Sequence, residues 1–292
     1  MEWAAIEGRG ETWQPVRRLT QACDGGPSYG EFETVRPLVR SRLPAMMEAA
    51  LKKAPEVRFI GDNSEPVQAD AHKLDEAWAW EHLLCDGQPM TLPAGWRGDV
   101  ILDLRDYVCA YPLLALAGGR DAVIKLEWAE ALYTDDAPNS NAKAHRDQVE
   151  GLYFRGKGDR FIADGRAHRF GALHWRCGRH VRVRIRAAEE PLTITALRLF
   201  ETRYPMETRP LPELSDTRLQ SALPMMPRAV MVSTHETFSD ASYYEQLIYV
   251  GDSRLEALVM LARSGDDRML RRAIELYGWS LTPLGLTQGA VP

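Results

Sequence analysis

The run Val181-Arg182-Val183-Arg184-Ile185-Arg186 alternates aliphatic and cationic residues with a period of two. Successive side chains of a strand point to opposite faces, so this spacing predicts a β-strand with an aliphatic face on a core. The arginine row is then expected to be a wet sheet face paired with acids, rather than an anion site. A helix would scatter both sets around its axis.

The neighbouring sequence fits the same sheet. Residues 100–104, 113–117, 123–128, 152–154 and 192–200 predict further strands, with Gly118-Gly119 as a turn. The polar stretch 134–147, rich in Asp, Asn and Ala, reads as a surface loop. Short strands, Gly-rich turns and almost no helix predict a β-sandwich over 99–205. Residues 1–98 form an N-terminal β-rich segment or connector. Within it, 45–53 reads as a short helix or, given Pro44, as a connector between strands.

The period changes after Tyr204-Pro205. Pro205, Pro210, Pro212 and Pro224 punctuate a linker, and 227–240 predicts a helix with Pro227 in its first turn. Leu255, Leu258, Val259 and Ala262 recur at helical spacing, Gly265 stops that helix, and Asp266 caps the next. Met269, Leu270, Ala273, Ile274 and Tyr277 give the next helix its apolar face.

Other features limit the function classes. A formal net charge of −5 supplies no general field for nucleic acid or anionic lipid. No apolar run approaches the ~18 residues of a membrane span. Met1-Glu2-Trp3 opens no signal peptide, which tips the compartment toward the cytoplasm without fixing it. Cys23, Cys85, Cys109 and Cys177 are far apart and form no Cys-x-x-Cys pair, so neither a zinc site nor a disulfide framework is suggested. His168, His174 and His180 are evenly spaced, but Gly171 and Gly178 between them suggest turns, and no metal or cofactor is expected. Gly156 and Gly158 lack the strand and helix of a phosphate loop. Trp128 reads as a packing residue.

One stretch concentrates chemistry. Asp240, Glu245 and Asp252 lie between two helices among Tyr243, Tyr244 and Tyr249. Glycoside hydrolysis needs a carboxyl that keeps its proton for the leaving oxygen, and apolar neighbours and nearby negative charge both raise its pKa. A second carboxylate must activate water, roughly 6.5–9.5 Å away in an inverting enzyme. Acids near a helix start also simply favour its dipole, and Asp252 can act as a cap. Spacing alone leaves both readings open.

The wider text around these acids resembles the bacterial α-L-rhamnosidases of glycoside hydrolase family 78. The matching residues are His235-Glu236-Thr237, Asp240, Tyr243-Tyr244-Glu245-Gln246-Leu247, and Tyr249-Val250-Gly251-Asp252-Ser253-Arg254. Ala257-Leu258, Ser264-Gly265-Asp266 and Gly285-Leu286-Thr287-Gln288 continue it, and Gly151-Leu152-Tyr153-Phe154 and Trp175-Arg176-Cys177-Gly178-Arg179 belong to the β part.

The resemblance implies a β-sandwich domain followed by the opening helices of an incomplete (α/α)6 barrel, the latter over 206–292. It implies hydrolysis of a terminal α-L-rhamnoside in an oligosaccharide or glycoside, with inversion. Glu245 takes the place of the general acid, Asp240 and Asp252 line the rhamnose pocket, and Tyr249 forms its wall. The family's general base is a glutamate later in the barrel than Pro292, so the 292 residues alone are expected to be inactive. Two departures stand out: Tyr243-Tyr244 replaces an Arg followed by an acid, and Ala241-Ser242 replaces a Cys-Pro pair. Two other readings remain: a non-catalytic carbohydrate-binding β-sandwich, and a related six-hairpin glycosidase acting on another deoxysugar or a uronide.

Overall fold

The aliphatic runs on either side of Asp103-Leu104-Arg105-Asp106 join into one strand of 22 residues, Arg97–Gly118. The computed structural model describes residues 22–24, 36–38, 40–62, 65–68, 73–137, 139–282 and 284–291. Its strands are β1 (Ala22–Asp24), β2 (Arg36–Leu38), β3 (Met47–Ala50), β4 (Glu56–Gly61), β5 (Met90–Leu92) and β6 (Arg97–Gly118). They continue as β7 (Val123–Ala129), β8 (Lys157–Ile162), β9 (His168–Gly171), β10 (Arg176–Arg186), β11 (Leu192–Arg203), β12 (Ile248–Tyr249) and β13 (Ala290–Val291). The helices are α1 (Leu74–Cys85), α2 (Thr217–Ala222), α3 (Met225–Val232), α4 (Val250–Ser264) and α5 (Arg268–Trp279).

Nine of these strands form one antiparallel sheet in the order β3-β11-β6-β10-β7-β8, with β4 and β9 also on β6 and β5 on β11. The expected pair of strands at 100–104 and 113–117 is thus one strand serving two neighbourhoods. Val100 lies opposite Ile60 of β4 and Val183 of β10, whereas Leu114 lies opposite Phe170 of β9 and Leu197 of β11. Between them Arg105 takes a left-handed φ of 59°, and its N–H donates to Asp103 Oδ1 at 2.7 Å. Few non-glycine residues adopt that conformation, and here it marks the corner between the two halves of the strand. The sheet curls into a half-barrel whose inner side chains share one core, including Leu102, Leu116, Leu126, Val183, Ile185 and Ile194. Each such side chain contributes about 1.5–3 kcal/mol on burial.

Two of the three arginines of β10, Arg182 and Arg184, are paired with acids and largely covered, whereas Arg186 at the strand end is exposed. Arg182 is only 4% exposed. It donates to Glu127 at 3.0 Å and to Glu65, and it lies 4.5 Å over the Phe154 ring. Arg184 grips Asp99 with two hydrogen bonds of 2.8 and 2.6 Å. A second apolar cluster built from Phe59, Val67, Ile101, Leu152 and Phe154 covers this outer face. The expected strand at 152–154 is reduced to a bridge between Tyr133 and Tyr153 within that cover.

Two further expectations change in the N-terminal part. Residues 45–53 contain strand β3, which pairs Ala50 with Phe200 at the sheet edge, and no helix. A helix does form at α1, where none was expected, because Ala77, Trp80, Leu83 and Leu84 share a face that packs on the core.

The helical part has its own core of Tyr204, Met206, Val230, Phe238, Ile248, Met260, Met269 and Val291. Helix α3 stops at Val232 instead of running to 240. There Thr234 Oγ1 donates back to the Val230 carbonyl at 2.6 Å, and the Thr234 carbonyl accepts Tyr204 N–H at 2.8 Å. Helix α4 buries Ser253, Ala257 and Met260; of the expected stripe, Leu255 and Leu258 are 61% and 54% exposed, and Val259 packs partly buried against the core. Gly265 ends α4 with a left-handed φ of 75°, as its position predicts. Asp266 Oδ1 accepts the first N–H of α5, from Arg268, at 3.0 Å, and Met269 and Ala273 face the core while Ile274 is exposed.

Candidate active site

The loop that follows α3 is shaped by its own backbone. Asp240 N–H donates to the Leu247 carbonyl at 3.1 Å, closing the loop at its base. Glu245 and Gln246 N–H both donate to the Ala241 carbonyl, at 3.1 and 3.0 Å. Gln246 takes a left-handed φ of 53°, its side-chain amide donates to the Ser242 carbonyl at 2.8 Å, and its Oε1 meets His174 Nε2 at 2.9 Å. This turn returns the chain so that Glu245 stands beside Asp240. The chain then runs straight into β12, where Tyr249 pairs with Ala290, and into α4. Asp252 falls in the first turn of α4.

The four residues singled out from sequence therefore converge. Glu245 and Asp252 both lie close enough to Asp240, and Glu245 close enough to Tyr249, to act on their titration. Partial desolvation first, then the charges of Asp252 and Glu245, push the Asp240 carboxyl up from its ordinary value. The neighbouring Glu245 carboxyl raises the Tyr249 hydroxyl.

A fourth acid, not singled out from sequence, completes the group. Glu256 follows Asp252 by one helical turn on α4. Burial first, then the charges of Asp252 and Asp240, push its carboxyl up to about 8. Its Oε2 is buried with no hydrogen-bond partner among the described residues. The i, i+4 spacing of Asp252 and Glu256 was the available signal. With its carboxyl raised, Glu256 keeps its proton at neutral pH, so the group contains both acceptors and a carboxyl that can donate.

Two tyrosines of the same loop tie it to β7 and the segment after it. Tyr243 OH donates to the Trp128 carbonyl at 2.7 Å, and the Tyr244 and Tyr133 hydroxyls meet at 3.1 Å. Lys143 lies 4.4 Å over the Tyr244 ring and is ion-paired with Glu130 at 2.7 Å. Trp128 itself is fully buried, in keeping with a packing role. The evenly spaced histidines serve three separate partners: His168 meets Asp164 at 2.7 Å, His174 meets Gln246, and His180 lies in the sheet beside Asp103. Among the described residues no helix is long and apolar enough to cross a membrane.

No family model matches the sequence, and no curated protein matches it. Solved structures do. The chain is similar to the GH78 family rhamnosidase of Bacillus sp. GL1, at 21% identity and a TM-score of 0.55, over 70% of this chain and 20% of that one. It is also similar to a rhamnosidase from Klebsiella oxytoca with rhamnose bound, at 16% identity and a TM-score of 0.63, over 85% of this chain and 47% of that one. The chain thus spans less than half the length of either protein, and over the matched stretch it shares the fold of rhamnosidases.

Proposed function

We propose that this chain carries the acid-bearing part of a glycosidase site that releases terminal α-L-rhamnose with inversion. Glu245 is the general acid. Asp240 and Asp252 accept hydrogen bonds from sugar hydroxyls, and Tyr249 forms the pocket wall. The helices from about residue 206 open an (α/α)6 barrel, and the family resemblance assigns the water-activating base to a glutamate of a later barrel helix. The observation that carries this reading is the convergence of Asp240, Glu245, Asp252 and Tyr249 at the start of α4. The fold shared with two rhamnosidases, one of them holding rhamnose, supports it.

In this scheme the proton stays within the cluster until the glycosidic oxygen takes it. Negative charge on Asp240 and Asp252 favours the oxocarbenium-like sugar as it forms. Asp240 and Glu245 are exposed, which also suits a second reading, a site that binds the sugar without cleaving it.

Titration with L-rhamnose, followed by backbone NMR, tests the site. Shifts should centre on residues 239–256, and Asp252→Asn should weaken binding by about tenfold or more. Shifts confined to residues 99–205 would replace this reading with a sugar-binding sheet. For the acid, Glu245→Gln in an active form of the enzyme should lower turnover of a rhamnoside with a poor leaving group by orders of magnitude. Unchanged turnover would remove Glu245 from that role.

A further inference from the structure

Cys109 and Cys177 are distant in sequence, yet they are directly opposed residues of β6 and β10. Their Sγ atoms lie 3.3 Å apart, and both side chains are buried, at 1% and 3% exposure. Opposed residues of an antiparallel pair have Cα atoms roughly 4.5–5.5 Å apart, inside the range a disulfide bridges. Closing the pair to the ~2.05 Å of a disulfide calls for rotation of the two side chains about their Cα–Cβ bonds. The strand register thus meets the geometric requirement that sequence spacing cannot report.

The surroundings connect this pair to the loop of acids. Cys109 Sγ–H donates to the Val232 carbonyl at 3.2 Å, and Ser242 Oγ–H donates to the same carbonyl at 2.7 Å. Val232 ends α3, and Ser242 lies in the loop between Asp240 and Glu245. Trp175 and Val232 complete the apolar shell around both sulfurs.

We propose that Cys109 and Cys177 form a disulfide across β6 and β10, by exchange with a small-molecule disulfide such as glutathione disulfide. One cysteine, as the thiolate, attacks the glutathione disulfide and releases one glutathione thiolate. The second cysteine, as the thiolate, attacks the mixed disulfide, forms the Cys109–Cys177 bond and releases the second. Two thiol protons leave the protein, and the two electrons reduce one glutathione disulfide to two thiols. The bond removes the Cys109 donor from the Val232 carbonyl, leaving Ser242 on it, and locks the two strands beneath the loop. Both thiols are buried, so exchange in the folded protein is slow and equilibrium is reached through refolding.

The test uses the full chain with Cys23→Ser and Cys85→Ser, so that only the proposed pair remains. The protein is refolded in graded glutathione redox buffers, trapped by alkylation, and digested without reduction for mass spectrometry. The expected product is an intramolecular 109–177 cross-link, lighter by two hydrogens and reversed by dithiothreitol. Its equilibrium constant with glutathione should exceed that of the same two cysteines in the urea-unfolded chain by about tenfold or more. The cross-linked form should also show a higher denaturation midpoint than the reduced form. The proposal is overturned by an equilibrium constant no greater than in the unfolded chain, or by products that are only mixed disulfides or intermolecular. Because the measurement is made on the chain that retains both thiols, it does not depend on Cys109→Ser or Cys177→Ser folding.

Discussion

Glu256 sits one helical turn beyond Asp252 on α4, and its Oε2 is buried without a hydrogen-bond partner among the described residues. The pair explains why the acid cluster holds a proton at neutral pH. A buried carboxyl beside the Asp252 and Asp240 charges is cheaper to keep neutral than to ionise.

This has a stability consequence with a definite sign. The Glu256 carboxyl is raised from 4.5 to about 8 in the folded protein, so over that window the folded chain holds a proton that the unfolded chain has released. Its contribution is therefore fully present at low pH and is lost as pH rises through about 8. The span is worth on the order of 5 kcal/mol. Urea unfolding of Glu256→Gln and the parent should give similar stabilities near about pH 4, with the variant clearly more stable near about pH 9. A difference independent of pH would show that the carboxyl is not held neutral.

Tyr243 ties the acid-bearing loop to the sheet through its 2.7 Å hydrogen bond to the Trp128 carbonyl. Tyr243→Phe keeps the ring and removes only that bond, at a cost of about 1 kcal/mol. Hydrogen exchange at the Glu245 and Gln246 amides, which close the loop on the Ala241 carbonyl, should speed up in the variant. Unaltered exchange there would mean that the loop is held by its own backbone alone.

Asp103 is a structural acid of a different kind. Burial opposes its ionisation, but hydrogen bonds from Arg179 and from the Arg105 backbone outweigh it and hold the carboxyl below its ordinary value. Arg179 grips it through two hydrogen bonds of 2.9 Å each, and Arg179 also meets Asp147. Asp103→Asn leaves a largely covered guanidinium with only the exposed Asp147 as counter-ion. The expected loss is about 3 kcal/mol in chemical denaturation. An additional Asp147→Asn change should cost more beside Asp103→Asn than in the parent, since Arg179 then has neither acid.

What the sequence reveals about this fold follows from what each pattern measures. The period-two run at 181–186 reports that the two faces of β10 differ, and Val183 and Ile185 are buried as it requires. It cannot report what covers the second face, because Phe154 and Glu65 arrive there from distant parts of the chain. Along α4, leucine spacing points to Leu255 and Leu258, yet the helix buries Ser253, Ala257 and Met260, small or flexible residues that permit close approach at a helix interface. The acids Asp240, Glu245 and Asp252 are visible as a motif. Their convergence depends on the left-handed turn at Gln246, which spacing does not encode. Cys109 and Cys177 become neighbours only through strand register.

Two buried histidines set the acid side of the pH profile. His180 is wholly buried with neither ring nitrogen hydrogen-bonded among the described residues, and burial pushes it down to about 4. His235 is stacked on Trp175 with ring centroids 4.0 Å apart, its Nε2 donates to the Thr202 carbonyl at 3.1 Å, and burial pushes it down to about 4 as well. Between their ordinary value of 6.5 and about 4, the unfolded chain binds protons at both positions that the folded chain refuses. Stability from these two groups is therefore present above 6.5 and is lost as pH falls through that window. Glu256 acts in the opposite sense, losing stability as pH rises from 4.5 to about 8. Where the windows overlap, two histidine protons outweigh one carboxyl proton, so stability still rises with pH; above 6.5 only the carboxyl is left and the slope reverses. The stability maximum should lie near about pH 6.5. His180→Leu should flatten the acid limb, and Glu256→Gln should flatten the alkaline one and move the maximum upward. A parent profile with its maximum above about pH 8 would contradict the Glu256 assignment, and one rising steadily toward about pH 4 would contradict both histidines.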